Sequence, residues 1–445
     1  MFRVTLRSDP MPAMFQSITF KVLGIGVLAL LMLIPLAEVQ GLIGERNRMR
    51  EQAVNAIAQR WGAVQVLGGP VLAIPKRTRI ETSNGWVVQQ STEIVLADRL
   101  DISGTLAPEE RRYGIYSAPV YTAELKVSGR FLTSDVRALA GTETKYLWDH
   151  AELRLPLADV RGIRRMSVLR LDGVEHPFGP AEAGVGTMNA IAVPLDLSHL
   201  EGDAHPFSFE MTLAGTASLH LLPLARHSEA ALSAPWPDPS FDGAFLPAER
   251  KVGADGFDAR WQVLDLNRSY GQHWQQDERQ HVDIASAAFG VTLYQPASVY
   301  QQNERAGKYG ILFIALTFVA FFLFEILRKL RVHPVQYLLV GLALSTFYIV
   351  LLALSEQIGF TFAYLAAAIA VVVLVGGYAA SVLRARRAGL MLGATLAVVY
   401  GLLYGLVVSE EYSLLMGALA LLAVVALLMY LTRKVDWYAY AAVAR

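Results

Sequence analysis

The stretch LALSEQIGFTFAYL, residues 352–365, decides how this chain is read. It sets Glu356 between two long apolar runs, 335–354 and 361–383. Each run has about the 20 residues that a helix needs to cross a bilayer. A carboxylate inside such a run marks chemistry or transport, because burying it is costly. A carboxylate at the tip of a helical hairpin marks only a turn. Glu356 falls past the end of the first run, and Gly359 follows it. The stretch therefore predicts a tight helix–helix turn with Glu356 as a solvated loop residue.

Working outward, four more runs of similar character occur at 22–39, 310–327, 389–408 and 414–431. A cut after Ala37 would put Pro35 at the −3 position, a poor match to a processing site, so the first run reads as an uncleaved signal anchor. Arg3, Arg7 and Lys21 precede the first run, and Arg328, Lys329 and Arg331 separate the second and third. Arg384, Arg386 and Arg387 separate the fourth and fifth, and Arg433, Lys434 and Arg445 follow the sixth. The alternate loops, 355–360 and 409–413, hold no Lys or Arg. By the positive-inside rule both termini lie in the cytoplasm and the long insert lies outside, together with Glu410 and Glu411.

The expected fold is thus an integral membrane α-helical protein with six transmembrane helices. A large β-rich α+β extracytoplasmic domain is inserted between helices 1 and 2. Residues 1–40 form the cytoplasmic N-terminus and first transmembrane helix, and 41–308 the outer domain with an N-terminal stalk helix. Residues 309–432 form a five-helix bundle and 433–445 a cytoplasmic tail. Composition agrees: of 445 residues, 54% are hydrophobic and 18% charged. Lys+Arg and Asp+Glu balance at 39 each, which points to no nucleic-acid partner. With no cysteine, disulfides, Cys-ligated zinc, iron–sulfur clusters and thiol catalysis are excluded.

The insert opens with GERNRMREQAVNAIAQRWG, residues 44–62, in which Met49, Ala53, Ile57 and Trp61 share one helical face and Gly62 is placed to cap it. After Gly68-Gly69-Pro70 the period changes to that of strands, at 71–75, 85–88, 92–97, 123–127, 152–157, 167–171 and 190–195. The pattern continues at 207–213, 217–222, 257–264 and 290–293, with a short helix at 132–139. Asn84-Gly85 signals a hairpin. The segment APWPDPSFDGAFLP, 234–247, reads as an ordered loop outside regular structure whose aromatics need burial. The whole insert is one large sandwich or two smaller β units.

Chemistry-bearing motifs are sparse. No H-E-x-x-H, G-x-S-x-G, Walker or dinucleotide fingerprint occurs. His220 and His227 are too far apart for a helical metal pair, and His273 and His281 flank a polar loop. No ionisable residue lies at the centre of any apolar run. Glu38 and Glu325 sit near run ends, and Glu325 has Arg328 and Lys329 within reach as local partners. Ser345, Thr346, Tyr348, Tyr400 and Tyr404 lie near mid-depth, where they either make interhelical hydrogen bonds or line a small pathway. Gly401-x-x-x-Gly405 is a small-residue packing motif, and Trp437, Tyr438 and Tyr440 look like an interface belt. No catalytic, cofactor-binding or metal-binding residue is assigned, and no cofactor.

Three stretches carry a resemblance. FEILRKLRVHPVQYLLVGLALSTFYIVLLALSEQIGFTFAYLAA at 324–367, GERNRMREQAVNAIAQRWG with GGPVLAIP, and WPDPSFDGAFLP with FDARWQV resemble the CreD family of bacterial inner-membrane proteins. The resemblance runs from the first apolar run to the last. It implies a multi-pass protein of the bacterial inner membrane, with 41–308 in the periplasm. It implies a role in envelope integrity, colicin tolerance and the response to β-lactam stress, downstream of a two-component sensor. It implies no enzymatic reaction and no ligand. Three functions follow for weighing. One is a non-enzymatic envelope protein whose outer domain meets a periplasmic or sister-subunit partner. Another is a transporter or lipid-handling bundle. The third is a periplasmic hydrolase with a site that only folding assembles.

Overall fold

Helices form where the apolar runs lie, and strands where the period is two. The computed structural model describes residues 18–82, 85–139, 144–277, 282–295, 299–327, 332–382, 386–409 and 413–433. These divide into a helical unit, 1–49 with 297–445, and a β unit, 50–296.

The helical unit holds α1 (Ile18–Leu31) and the first part of α2 (Leu33–Trp61), whose last part belongs to the β unit with the short α3 (Thr133–Arg137). It continues with α4 (Val299–Lys308), α5 (Gly310–Leu327), α6 (Pro334–Ile358), α7 (Phe360–Val382), α8 (Arg386–Val408) and α9 (Ser413–Thr432). Four helical segments among the described residues are long and apolar enough to cross a membrane: Lys21–Trp61, Pro334–Ile358, Phe360–Val382 and Gly389–Val408. A fifth is added if α4 and α5, bent by 45° at their junction, count as one span, and Leu415–Tyr430 is a shorter apolar helix.

The turn at the opening stretch has a simple cause. Proline at the first position of α6 removes a donor that would be unpaired there, and the His333 side chain accepts from the Val335 amide. At the other end Gly359 adopts φ +77°, and its N–H reaches the Ser355 carbonyl at 3.2 Å. The helix stops on that glycine. It stops later than the apolar run, however, so Glu356 is a helical residue of α6 and not part of a loop. A helix has no need to end where hydrocarbon ends, so hydropathy places the boundary early.

Among the described residues the β unit contains three sheets, of four, nine and seven strands. In the nine-stranded sheet the long antiparallel pair Ala97–Tyr113 and Tyr116–Leu132 is flanked by Ala204–Thr216 on one side. On the other side lie Ala225–Ala234, parallel to Ala97–Tyr113, then Gly256–Leu264 and the edge strand Glu249–Gly253. The seven-stranded sheet is built round the hairpin Val71–Thr82 and Gly85–Val95, and Asn84 lies outside the described residues. All three sheets feed one apolar core, through Leu219 and Phe289, Tyr121 and Trp261, and Leu72 and Leu153. A second cluster forms round Val71, Ile94, Leu224 and Ile284. Neither a sandwich nor two separate units describes this three-sheet arrangement.

Two further expectations need correction. The proline-rich segment contains a strand, Pro239–Gly243, paired with Phe289–Leu293 at the edge of the four-stranded sheet. Proline is tolerated there because a first strand residue at an edge owes no N–H to a neighbour. Its aromatics Trp236, Phe241 and Phe245 do pack on the core. The stalk face is buried at Ala53 and Ile57, which with Val54 and Trp61 meet Ala118 and Val120, but Met49 is exposed. Gly62 ends α2 with φ +143°, where a Cβ would lie 2.5 Å from the Ala214 carbonyl oxygen.

Candidate functional site

The ionisable groups of the helical unit come first, since burial makes them costly. Glu325 is buried near the end of α5, with 4% of its surface exposed. It is ion-paired with Lys21 of α1 and accepts from the Val332 amide at 2.8 Å and the Tyr337 hydroxyl at 2.9 Å. The partners inferred from sequence, Arg328 and Lys329, lie outside the described residues, as does Arg331. The observed partners come from α1, α6 and the segment before α6, so Glu325 ties three parts of the bundle together.

Glu356 does the same at the far end of α6. Its carboxylate accepts from the Tyr300 hydroxyl of α4 at 3.1 Å and lies 3.7 Å from the Arg46 guanidinium of α2. Only 11% of its side chain is exposed, which corrects the expectation of a solvated loop charge. One turn of α4 further on, Asn303 donates to the Ser355 hydroxyl at 2.8 Å. Glu38 is exposed, and Glu410 and Glu411 lie outside the described residues.

Between these ends, Met32, Leu36, Val39 and Ile43 form a buried stripe at helical spacing. From Lys21 to Arg46 a helix rises about 38 Å at about 1.5 Å per residue. That exceeds the hydrocarbon core of about 30 Å and stays within the headgroup span of about 40–45 Å. The two ion pairs therefore stand about one bilayer apart along the first long helix, which runs on past Arg46 to Trp61, with an apolar contact line between them.

The mid-depth polar residues do not assemble a pathway. Ser345 and Thr346 donate to carbonyls one turn back, at Gly341 and Leu342. Tyr404 bonds Thr361 across helices at 3.3 Å, and Tyr364 donates to the Tyr400 carbonyl at 2.7 Å. Phe347 packs on Tyr348, Tyr364 and Tyr400 at 5.0, 5.3 and 4.6 Å between ring centres. Tyr348 and Tyr400 do line a cavity with Thr317, but its volume is about 10 Å³. That is close to the smallest space that holds one water. Of the glycine motif, Gly405 approaches a neighbour, Met416 of α9, and Gly401 faces open space. Trp437, Tyr438 and Tyr440 lie outside the described residues.

The β unit does assemble a histidine cluster. His205 lies 2.8 Å from the Thr133 hydroxyl through Nε2 and 2.6 Å from Asp172 through Nδ1, the order of groups in a hydrolytic triad. Two facts make it a clamp and not a nucleophile. Thr133 is 2% exposed, so no substrate reaches its oxygen. Its hydroxyl also donates to the Gly202 carbonyl at 2.6 Å, so the proton a base would take is already committed.

His220 sits 2.6 Å from Asp242, which also accepts from Thr292 at 2.8 Å, and this holds the proline-rich strand in place. Glu93 is buried between Lys76 at 2.6 Å and His273 at 3.0 Å. His227 is exposed and His281 lies outside the described residues. Asp98 is held between Arg130 at 2.8 Å and Arg226 at 3.4 Å, and Arg226 bonds Asp135 with two contacts. Among the described residues no three His, Asp or Glu side chains are grouped to hold a metal ion. Sequence reading could not find these pairs, because they depend on which elements meet and in what register, even for Lys76 and Glu93 on the two strands of one hairpin.

Apolar helices, a clamped first helix and a large three-sheet unit define a multi-pass integral membrane protein with an inserted β domain. The model of the family described as inner membrane protein CreD matches residues 17–438. The chain is also 34% identical over 425 residues to the inner membrane protein CreD of Escherichia coli (strain K12), covering 92% of each. The chain belongs to the CreD family of inner-membrane proteins. Among solved structures, an M1 zinc metallopeptidase from Deinococcus radiodurans aligns with a TM-score of 0.23 and 11% identity, over 44% of this chain and 42% of that one. A mutant M1 zinc metallopeptidase from that organism, bound to a peptide substrate, aligns at 0.22 and 13%, with the same coverage. Overlaps of that size carry no functional argument here.

Proposed function

We propose that this inner-membrane protein supports the integrity of the cell envelope under stress, including β-lactam stress and colicin attack. It does so without catalysing a reaction, and its β unit makes the decisive contacts, with a periplasmic partner or a second copy of the chain. Six spans, both termini in the cytoplasm and residues 41–308 in the periplasm complete the reading. The observation that carries it is the engagement of the bundle's buried carboxylates. Glu325 and Glu356 each spend their lone pairs on donors from other parts of the bundle, which suits a scaffold better than a relay. The membership of the CreD family supports the envelope role.

The test is complementation. A strain lacking the gene receives either the full chain or a chain in which residues 64–295 are replaced by a short flexible linker. The full chain restores tolerance to β-lactams and the normal colicin response, and the shortened chain does not. Full rescue by the shortened chain at equal membrane abundance would move the function to the helices and favour the transporter or lipid-handling alternative.

A further inference from the structure

Among its described residues the helical unit buries five tyrosines: Tyr300, Tyr337, Tyr348, Tyr364 and Tyr400. Three of their hydroxyls are committed. Tyr300 donates to Glu356, Tyr337 to Glu325 and Tyr364 to the Tyr400 carbonyl. The hydroxyls of Tyr348 and Tyr400 have no hydrogen-bond partner among the described residues. A hydroxyl held in an apolar interior without a partner is costly, and lipid supplies none. Two such groups in one bundle call for a common cause.

The two residues border the same space. Tyr348 and Tyr400 line the small cavity between α5, α6 and α8, together with Thr317 and Val399. Tyr348 reaches it from α6. The tip of its ring meets α5, since a Cβ on Gly310 would lie 3.2 Å from the Tyr348 Cζ. Gly310, Ile314 and Thr317 follow one another at helical spacing along that side of α5. Tyr400 reaches the cavity from α8, its ring against Phe347 at 4.6 Å between centres. Thr317 is 2% exposed and donates to the Phe313 carbonyl at 2.8 Å, which leaves the lone pairs of its oxygen free to accept.

Among the described residues, no side-chain nitrogen or oxygen of the helical unit is both closed off and unpartnered. The Tyr348 and Tyr400 oxygens are unpartnered, so they open on space, and the space that both residues border is this cavity. Its volume of about 10 Å³ suits one water and nothing larger. A buried water needs two to four polar partners, and three converge here.

We propose that one structural water is bound in this cavity and joins α5, α6 and α8. It accepts from the hydroxyls of Tyr348 and Tyr400 and donates to the Thr317 oxygen. The water completes the polar accounting of the bundle core and ties together three helices that no direct side-chain hydrogen bond connects at this point.

The experiment is X-ray radiolytic footprinting of the full chain in detergent micelles, read by mass spectrometry. Ionised water oxidises the rings beside it, so a water bound in the bundle marks its own neighbours. Tyr364 is the internal control, buried in the same aromatic cluster with its hydroxyl on a carbonyl. Tyr348 and Tyr400 are oxidised several-fold faster than Tyr364. Val399→Ile, which adds a methyl group to the cavity wall, brings both down to the Tyr364 rate. An unchanged Tyr364 rate and an unchanged circular-dichroism spectrum verify that the variant folds. A second measurement needs no filled cavity. Tyr348→Phe and Tyr400→Phe each lower the melting temperature in micelles, because each takes a partner from the water. Deleting an orphaned hydroxyl would instead leave that temperature unmoved or raise it. Equal oxidation of the three tyrosines, fast oxidation that survives Val399→Ile, or a melting temperature unmoved or raised by either Phe variant each overturns the proposal.

Discussion

Three donors converge on Glu325, and removing one of them shows what the pair does. Lys21→Met leaves the carboxylate with the Val332 amide and the Tyr337 hydroxyl but no counter-charge among the described residues. A charge-assisted bond of this kind contributes about 1.5–3 kcal/mol, and thermal unfolding in micelles should fall accordingly. Glu325→Gln alone should cost a similar amount and leave the envelope phenotype near wild type. The double variant should lose less than the two losses added, because neither partner is then left unpaired. A complete loss of phenotype in Glu325→Gln at normal abundance would mean that the carboxylate has a chemical task.

Asp159 makes a second residue-scale case, in the β unit. Bonds from the Arg161 side chain hold its carboxyl below the usual aspartate range, with help from the Ala63 and Arg161 amides. A depressed folded value stabilises the fold fully above the unfolded value of about 3.9, and the gain is lost as pH falls through the lower folded value. Acid unfolding of the β unit should therefore steepen below about pH 4. Asp159→Asn should flatten that limb and leave the neutral-pH slope unchanged. An acid limb identical in the two proteins would remove Asp159 from the account.

Among the elements, the C-terminal end of α2 has the most explicit fastening. The Trp61 indole N–H donates to the Tyr121 carbonyl at 3.2 Å, and its ring lies under Arg111 at 4.6 Å and Arg164 at 5.1 Å. A net hydrogen bond of about 1 kcal/mol and two cation–π contacts of about 0.5–1 kcal/mol each give about 2–3 kcal/mol. Trp61→Ala should lower the stability of the β unit in denaturant by that amount, and Trp61→Phe by about half or less. A denaturation midpoint unmoved by Trp61→Ala would show that the helix end is not fastened there.

The stalk itself was legible from Ala53, Ile57 and Gly62, because one face and one cap are local signals. The strand Ala97–Tyr113 was mostly missed, since its inward residues Leu100, Ile102 and Leu106 are interrupted by Gly104 and followed by EERRY. Ala225–Ala234 was missed because it buries small residues such as Ala230 and Ala234 and shows no hydrophobic alternation. The turn after Ile358 was foreseen, but the burial of Glu356 was not. Its partners Tyr300 and Arg46 come from other parts of the chain, and no local pattern announces a contact made by folding.

For the whole molecule, hydropathy and basic loops set out a multi-pass chain with a large insert, and the insert has its own three-sheet core. Residues 64–295 expressed alone should give a mainly β circular-dichroism spectrum with a cooperative thermal transition, and a predominantly helical spectrum would contradict this. The most direct test of the account concerns which side of the membrane each loop faces, and the chain's lack of cysteine makes it clean. Gln357 and Arg387 are both exposed, at opposite ends of α7 and clear of the Glu356 contacts, and Arg112 is exposed in the β unit. Each is replaced by cysteine in turn, and intact cells with a permeable outer membrane are treated with a maleimide that cannot cross the inner one. The account predicts labelling at 357 and 112 and none at 387 until the inner membrane is opened. Labelling at 387 in intact cells, with 357 and 112 protected, would contradict it.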